Sequence, residues 1–368
     1  MTTWPDTLPF RLLSLTAISG EFPTSQLNRL PASPYYLEAV VTALKKSGLL
    51  RTYYRDRLRG YRLGARAKSI LLDGWPERFA SYLTGEAETN RLKSETTRRL
   101  RLHRLAETYV TMDNAGVGIY PDENPKVFAP QGFNGEAVIY PAFYSSREVK
   151  DMGVDTTQIQ NSRFAGVLLS PTGIYATYNS GAALMKWRYK SELRVKTLLW
   201  RVLCQQRLAG QYHTENVYGL VLGDSMELGY QILTSTGGVK HDYFMLDGSY
   251  DHFYFLTNDH QGEVILALLC DPAKTAELDR ILSQGLTVGN PVRAIEQDAA
   301  EPDGTPVLFG YFCDLPRIVR FNTSLELMER PGTLICFDFQ ADVLRRYCGG
   351  RVRLQTIDFT KFEGRLFP

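Results

Sequence analysis

The chain has 368 residues, 44% of them hydrophobic, 22% charged and 12% aromatic. That mix is enough for two or three cores and excludes wholesale disorder and a single small module. The net charge of +2 hides an asymmetry. Residues 1–107 hold 18 Lys and Arg against 10 Asp and Glu, so the remainder carries 24 against 30. A basic first part precedes a mildly acidic second one, which directs the search for a polyanion partner to the first part.

Between Leu8 and Leu72 the apolar spacing predicts three short helices and a hairpin. Phe10, Leu12, Leu13, Leu15 and Ile18 form the first stripe, closed by Gly20. Thr24 or Ser25 caps a short second helix through Leu27 and Leu30, stopped by Pro31. Ser33 and Pro34 open the third as N-cap and first-turn proline, and it runs to Ser47 before Gly48. Leu49–Tyr54 and Gly60–Leu63 follow as strands, joined by the basic segment Arg55-Asp56-Arg57-Leu58-Arg59. Helices followed by a basic-tipped hairpin describe a winged helix-turn-helix, expected over residues 1–75. Such a module offers its third helix to the major groove and its wing to phosphates. The exposed third-helix positions Tyr35, Glu38, Thr42, Lys45 and Lys46 are the candidate base readers. Arg51, Arg55, Arg57, Arg59 and Arg62 are the candidate phosphate contacts. A rival use of the same fold is protein assembly, as a dimer or with another partner.

Residues 76–113 interleave Lys93, Arg98, Arg99, Arg101 and Arg104 with Leu92, Leu100, Leu102 and Leu105, and read as a basic helical connector. Residues 114–368 read as a mixed-sheet α/β domain. Its expected strands are Phe164–Ser170, Gly173–Tyr178, Val217–Leu222, Tyr243–Leu246, His252–Leu256, Val264–Leu269, Val307–Phe312, Thr333–Phe337 and Arg351–Ile357. Its expected helices are Leu184–Leu208 and Pro272–Gln284. Trp187 and Trp200 read as core residues.

Chemistry-bearing motifs are sparse. Asp122 with Glu148-Val149-Lys150 fits the loose acid, acid-x-Lys pattern of a metal-dependent nuclease, in which carboxylates hold Mg²⁺ and the lysine orients the nucleophile. That geometry needs a strand, whereas Ser145 or Ser146 predicts a capped helix around Glu148, so no residue is assigned a catalytic role. His241, Asp242, Asp247, Asp251, His252, Asp259 and His260 include metal-ligand types, but their spacing matches no metal motif. Glu192 and Lys196, at i and i+4, read as a surface ion pair. Five dispersed cysteines read as free thiols of a reducing compartment. No cofactor or metal is expected. Without a signal-like start or a long apolar run, the chain is expected to be cytoplasmic and not membrane-bound.

The layout from Tyr35 to Leu50, the wing Arg51–Leu72, and Ser145-Ser146-Arg147-Glu148-Val149-Lys150 followed by Ser162–Leu169 resembles the replication-relaxation family of plasmids and integrative mobile elements. The likeness touches about half the chain. It implies a double-stranded-DNA-binding accessory or regulator of replication, mobilisation, conjugative transfer or transcription. It further implies a C-terminal α/β domain, nuclease-like in fold without the catalytic set. Separately, a homodimer is expected from the symmetry of most operators, and a protein partner through the α/β domain is a further expectation.

Overall fold

The computed structural model describes residues 7–129, 133, 135–150, 162–213, 217–236, 246–288 and 295–368. The chain is α+β with three sheets, and its contacts divide it into two units, Met1–Asn124 and Pro125–Pro368. The boundary falls about ten residues beyond the expected one, because residues 76–113 pack into the first unit.

In that unit α1 (Leu8–Ser19) is capped by Thr7 and ends at Gly20, whose φ of 81° suits glycine. A Cβ there would also lie 2.9 Å from the Thr89 backbone. The two-residue strand β1 (Phe22–Pro23) follows where only a chain break is expected from Pro23. A 3-10 turn over Thr24–Arg29 replaces the expected second helix; its cap position is Pro23, which offers no side-chain acceptor. Next, α2 (Pro34–Lys46) has Ser33 accepting from the Tyr36 amide, Pro34 in its first turn and Lys45 and Lys46 in its last, where they complement the helix dipole. Leu37, Val40, Val41 and Leu44 form its buried stripe.

Strands β2 (Leu50–Arg55) and β3 (Leu58–Leu63) pair antiparallel, and β1 adds to β3, giving the order β1-β3-β2. The connecting turn contains only Asp56 and Arg57, at φ 52° and 63°. The expected five-residue basic loop is therefore mostly strand, closed by a turn of type I′ character. Helices α3 (Ala65–Gly74), α4 (Pro76–Leu83) and α5 (Thr96–Asn114) complete the unit. Phe10 of α1 packs on Trp75 and Phe79, with ring centroids 4.6 and 6.3 Å away. That packing draws the expected connector into the core.

The second unit opens with β4 (Ala142–Ser145), the single-turn α6 (Ser146–Lys150), β5 (Phe164–Ser170) and β6 (Gly173–Gly181). α7 (Tyr189–Leu199) runs on as a π-helical segment, Trp200–Arg207, so the expected long helix begins five residues later and changes winding midway. Then come β7 (Val217–Gly223), α8 (Met226–Thr234) and β8 (Phe253–Thr257). The five strands order as β4-β5-β6-β7-β8, antiparallel as far as β6 and parallel beyond it. Of the expected strand Tyr243–Leu246, residues 243–245 lie outside the described residues, and Leu246 is not in a strand.

One expectation is overturned outright. Val264–Leu269 is no strand but lies within α9 (His260–Cys270), where Asp259 accepts from the Gly262 amide as N-cap. Nearly every side of that helix is buried, and an unbroken apolar run carries no period to separate helix from strand. α10 (Pro272–Leu282), β9 (Thr287–Val288), β10 (Ala299–Ala300), β11 (Pro306–Phe309), α11 (Leu315–Leu327), β12 (Gly332–Phe337), α12 (Ala341–Tyr347), β13 (Val352–Ile357) and α13 (Phe359–Leu366) follow. They build a second sheet, β13-β12-β11-β10-β9. A bridge between Tyr254 of β8 and Asp314 links the edge of the first sheet to the loop before α11. Trp187 is buried in the core and Trp200 packs against it. All five cysteines are free. Among the described residues no helix is long and apolar enough to cross a membrane.

Candidate nucleic-acid interface

The helix α2 packs against strand β2 of the hairpin, and both elements carry exposed polar and cationic residues. Tyr35, Glu38, Thr42, Lys45 and Lys46 are all exposed, Tyr35 by 85%. They recur at three- or four-residue steps opposite the buried stripe, which places them on one side of the helix. On the hairpin Arg51, Arg55, Arg57 and Arg59 are exposed, as is Tyr54. Arg55 lies 3.5 Å from Asp56. No carboxylate among the described residues pairs with Arg51, Arg57, Arg59, Lys45 or Lys46. Burial, followed by the nearby positive charge of Arg51, holds the Lys68 ammonium below its usual range.

Arg62 belongs elsewhere. It is 5% exposed, and its Nε and Nη2 donate to Glu21 Oε2 at 2.7 and 2.6 Å, so it leaves the set of phosphate contacts. Glu21 is the hub of the unit: it is fully buried and also accepts from Arg99 Nη2 at 2.5 Å and from His103 Nε2 at 2.9 Å. Burial alone drives its carboxyl up, but the hydrogen bonds from His103, Arg99 and Arg62 outweigh it and hold the pKa at about 2. The Tyr53 ring lies 3.6 Å from the Arg62 guanidinium and 4.7 Å from that of Arg99. Gly60 makes the approach possible, since a Cβ there would fall 2.5 Å from Glu21 Oε1.

Arg99 also fixes the hairpin tip. Its guanidinium donates to the carbonyls of Arg55 at 2.8 Å and Leu58 at 3.1 Å, on either side of the turn. Thr96 Oγ1 donates to Asp56 Oδ2 at 2.8 Å. These bonds over-determine a turn that puts a bulky Arg57 in the left-handed region at a cost of about 1 kcal/mol. The helix that reads as a basic connector is thus partly tied into the unit, through Arg99, while Arg98 and Arg101 make exposed ion pairs. Arg99 is buried, Arg98 pairs with Glu95 at 2.9 Å, and Arg101 pairs with Glu88. Sequence periodicity misses Glu21, Arg99 and His103; the one local sign of a close approach is a glycine inside a strand, at position 60.

The nuclease pattern does not assemble in the second unit. Glu148 Oε2 accepts from the backbone amide and hydroxyl of Ser145, both at 2.8 Å, and the Glu148 amide donates to Ser145 Oγ. This reciprocal capping fixes Glu148-Val149-Lys150 on α6, a helical turn, where a one-residue spacing does not align two side chains as a strand would. Asp122 lies in the other unit and accepts from Arg78 Nε at 2.9 Å. His241 and Asp242 lie outside the described residues. The other residues of that set have separate tasks: Asp247 accepts from Trp187 Nε1 at 2.8 Å, Asp251 lies 3.9 Å from Lys196 Nζ, His252 pairs with Asp314, Asp259 caps α9 and His260 pairs with Glu363. Among the described residues no three His, Cys, Asp or Glu side chains form a group that could hold a metal ion. A cavity of about 170 Å³ opens between the Asp247–Asp251 loop and α11, with Trp187 and Arg320 in its walls.

Glu192 is not the surface partner of Lys196. It is fully buried, with Oε1 accepting from the Arg163 amide at 2.8 Å and Oε2 without a hydrogen-bond partner, while Lys196 Nζ donates to the Ser249 carbonyl at 2.7 Å. Burial raises its pKa to about 7 against the lowering effect of the Arg163 amide. A folded-state pKa above the unfolded 4.5 means that the folded chain holds this proton more tightly. The stability so gained is complete below about pH 4.5 and is lost as pH rises through 7, a swing of about 3 kcal/mol. Glu192→Gln keeps the acceptor and removes the charge, so it should raise the melting temperature at pH 8 and leave it nearly unchanged at pH 4.5. Equal shifts at both pH values in calorimetry would show that the carboxyl does not titrate in this range.

Comparison with known proteins found no matching family model, no similar curated protein and no similar solved structure.

Proposed function

We propose that the protein binds double-stranded DNA through α2 and the β2–β3 hairpin, acting without catalysis as an accessory or regulatory factor of a plasmid or mobile element. The observation that carries the reading is the set of exposed cations on α2 and the β2–β3 hairpin, Lys45, Lys46, Arg51, Arg55, Arg57 and Arg59, of which only Arg55 forms an ion pair among the described residues. Element order supports it: a helix, a short strand, a helical turn, a second full helix and a hairpin follow one another, with sheet order β1-β3-β2, as the winged helix-turn-helix reading requires. Energy spent holding Arg57 at the tip also favours use of that tip, since strained backbone concentrates at working sites. The mobile-element setting is supported by the resemblance of Tyr35–Leu72, Ser145–Lys150 and Ser162–Leu169 to the replication-relaxation family.

Fluorescence anisotropy of the full chain with a random duplex at two salt concentrations tests the reading. Binding should weaken linearly on a log–log scale with salt, by about 0.9 for each phosphate neutralised. Absence of salt-sensitive binding would sink the proposal and favour a winged helix used for protein assembly.

A further inference from the structure

Asp56 at the hairpin tip is held by Arg55 and Thr96, but a second acidic group, on α2, has no such partner among the described residues. Glu38 is exposed near the middle of α2, three residues from Tyr35 and four from Thr42, and among the described residues it accepts no hydrogen bond and pairs with no cation. Its neighbours along the stripe are the residues that would meet a duplex, so its carboxylate would approach a polyanion, where an unmatched negative charge weakens every complex. An ionised carboxylate only accepts hydrogen bonds. In the major groove guanine offers acceptors and thymine an acceptor beside a methyl group. Adenine places its N6 donor beside the N7 acceptor, which repels a carboxylate, whereas cytosine presents the N4 donor.

Resting on the DNA-binding reading above, we infer that Glu38 is a specificity-determining residue that selects a cytosine in the major groove and rejects other bases at that position. It subtracts from binding to all duplexes and returns that loss only where a cytosine amino group meets it. Lys45 and Lys46, both about two turns further along α2, are in this reading assigned to phosphates instead of bases, and so supply affinity without sequence information.

The test is selection of duplexes from a randomised pool by the full chain, followed by sequencing, for the wild type, Glu38→Gln and Glu38→Ala. The wild type should enrich cytosine at one position by at least about fivefold. Glu38→Gln should move that preference to adenine, because an amide pairs with N6 and N7 together, and Glu38→Ala should abolish it. Both variants should bind random duplex more tightly than wild type, since a negative charge is gone. Glu38 is solvent-exposed, and an unchanged melting curve verifies folding. Salt-sensitive retention of duplexes without cytosine enrichment, or the same preferred base in all three proteins, overturns the inference and leaves the DNA-binding reading standing. No retention of any duplex overturns both.

Discussion

Glu21→Ala should be the most damaging single substitution in the first unit. It leaves the Arg62 and Arg99 guanidiniums and the His103 ring buried around a missing anion, and removing one partner of a buried ion pair costs about 3–5 kcal/mol. Two stranded cations put the loss at the upper end of that range, enough to unfold a marginal unit at 25 °C. Glu21→Gln keeps the shape but not the charge and should fall between. The pH dependence follows from a folded-state pKa of about 2 against 4.5 for an unperturbed glutamate. Because the folded value is depressed, the stabilisation is full above about pH 4.5 and disappears as pH falls through 2, about 3 kcal/mol in all. Urea denaturation of wild type and variant at pH 7 and pH 3 checks both claims: the gap between them should narrow at the lower pH. A variant with wild-type stability at pH 7 would show that the hub is not what holds α5 to the hairpin.

That hub also explains which parts of this molecule are legible in its sequence. α2 is readable because its signals are local: Ser33 caps it, Pro34 starts it, Lys45 and Lys46 suit its C-terminal end, and Gly48 stops it. The turn at Asp56-Arg57 is not, because local preference disfavours an arginine at positive φ and only bonds from Thr96 and Arg99, some forty residues away, make it tolerable. Arg62 misleads for the same reason. It sits directly across the ladder from the exposed Arg51, and nothing in the hairpin itself announces that Glu21 and α5 cover one end of that face. The buried Glu192 looks like half of an ordinary i,i+4 pair until α7 is seen to turn it inward. Glu148, by contrast, was readable as a helix-capping residue because its partner Ser145 is three residues away. Local hydrogen-bond chemistry is written in the sequence, whereas burial created by distant elements is not.

The largest effect on binding should come from the hairpin tip. Replacing Arg55 and Arg59 by Ala and Arg57 by Asn removes three exposed cations while respecting the backbone, since asparagine tolerates the left-handed region that Arg57 occupies. Arg99 would retain its grip, because it bonds the carbonyls of Arg55 and Leu58 rather than side chains. Three lost phosphate contacts should flatten the salt slope by up to about 2.7 and weaken binding by about two orders of magnitude at 0.1 M salt. Since phosphates carry no sequence, the loss should be nearly uniform across duplexes, unlike the base-dependent change expected at Glu38. A triple variant that melts like wild type and binds with unchanged affinity and slope would remove the hairpin from the interface and, with it, the observation on which the proposed function rests.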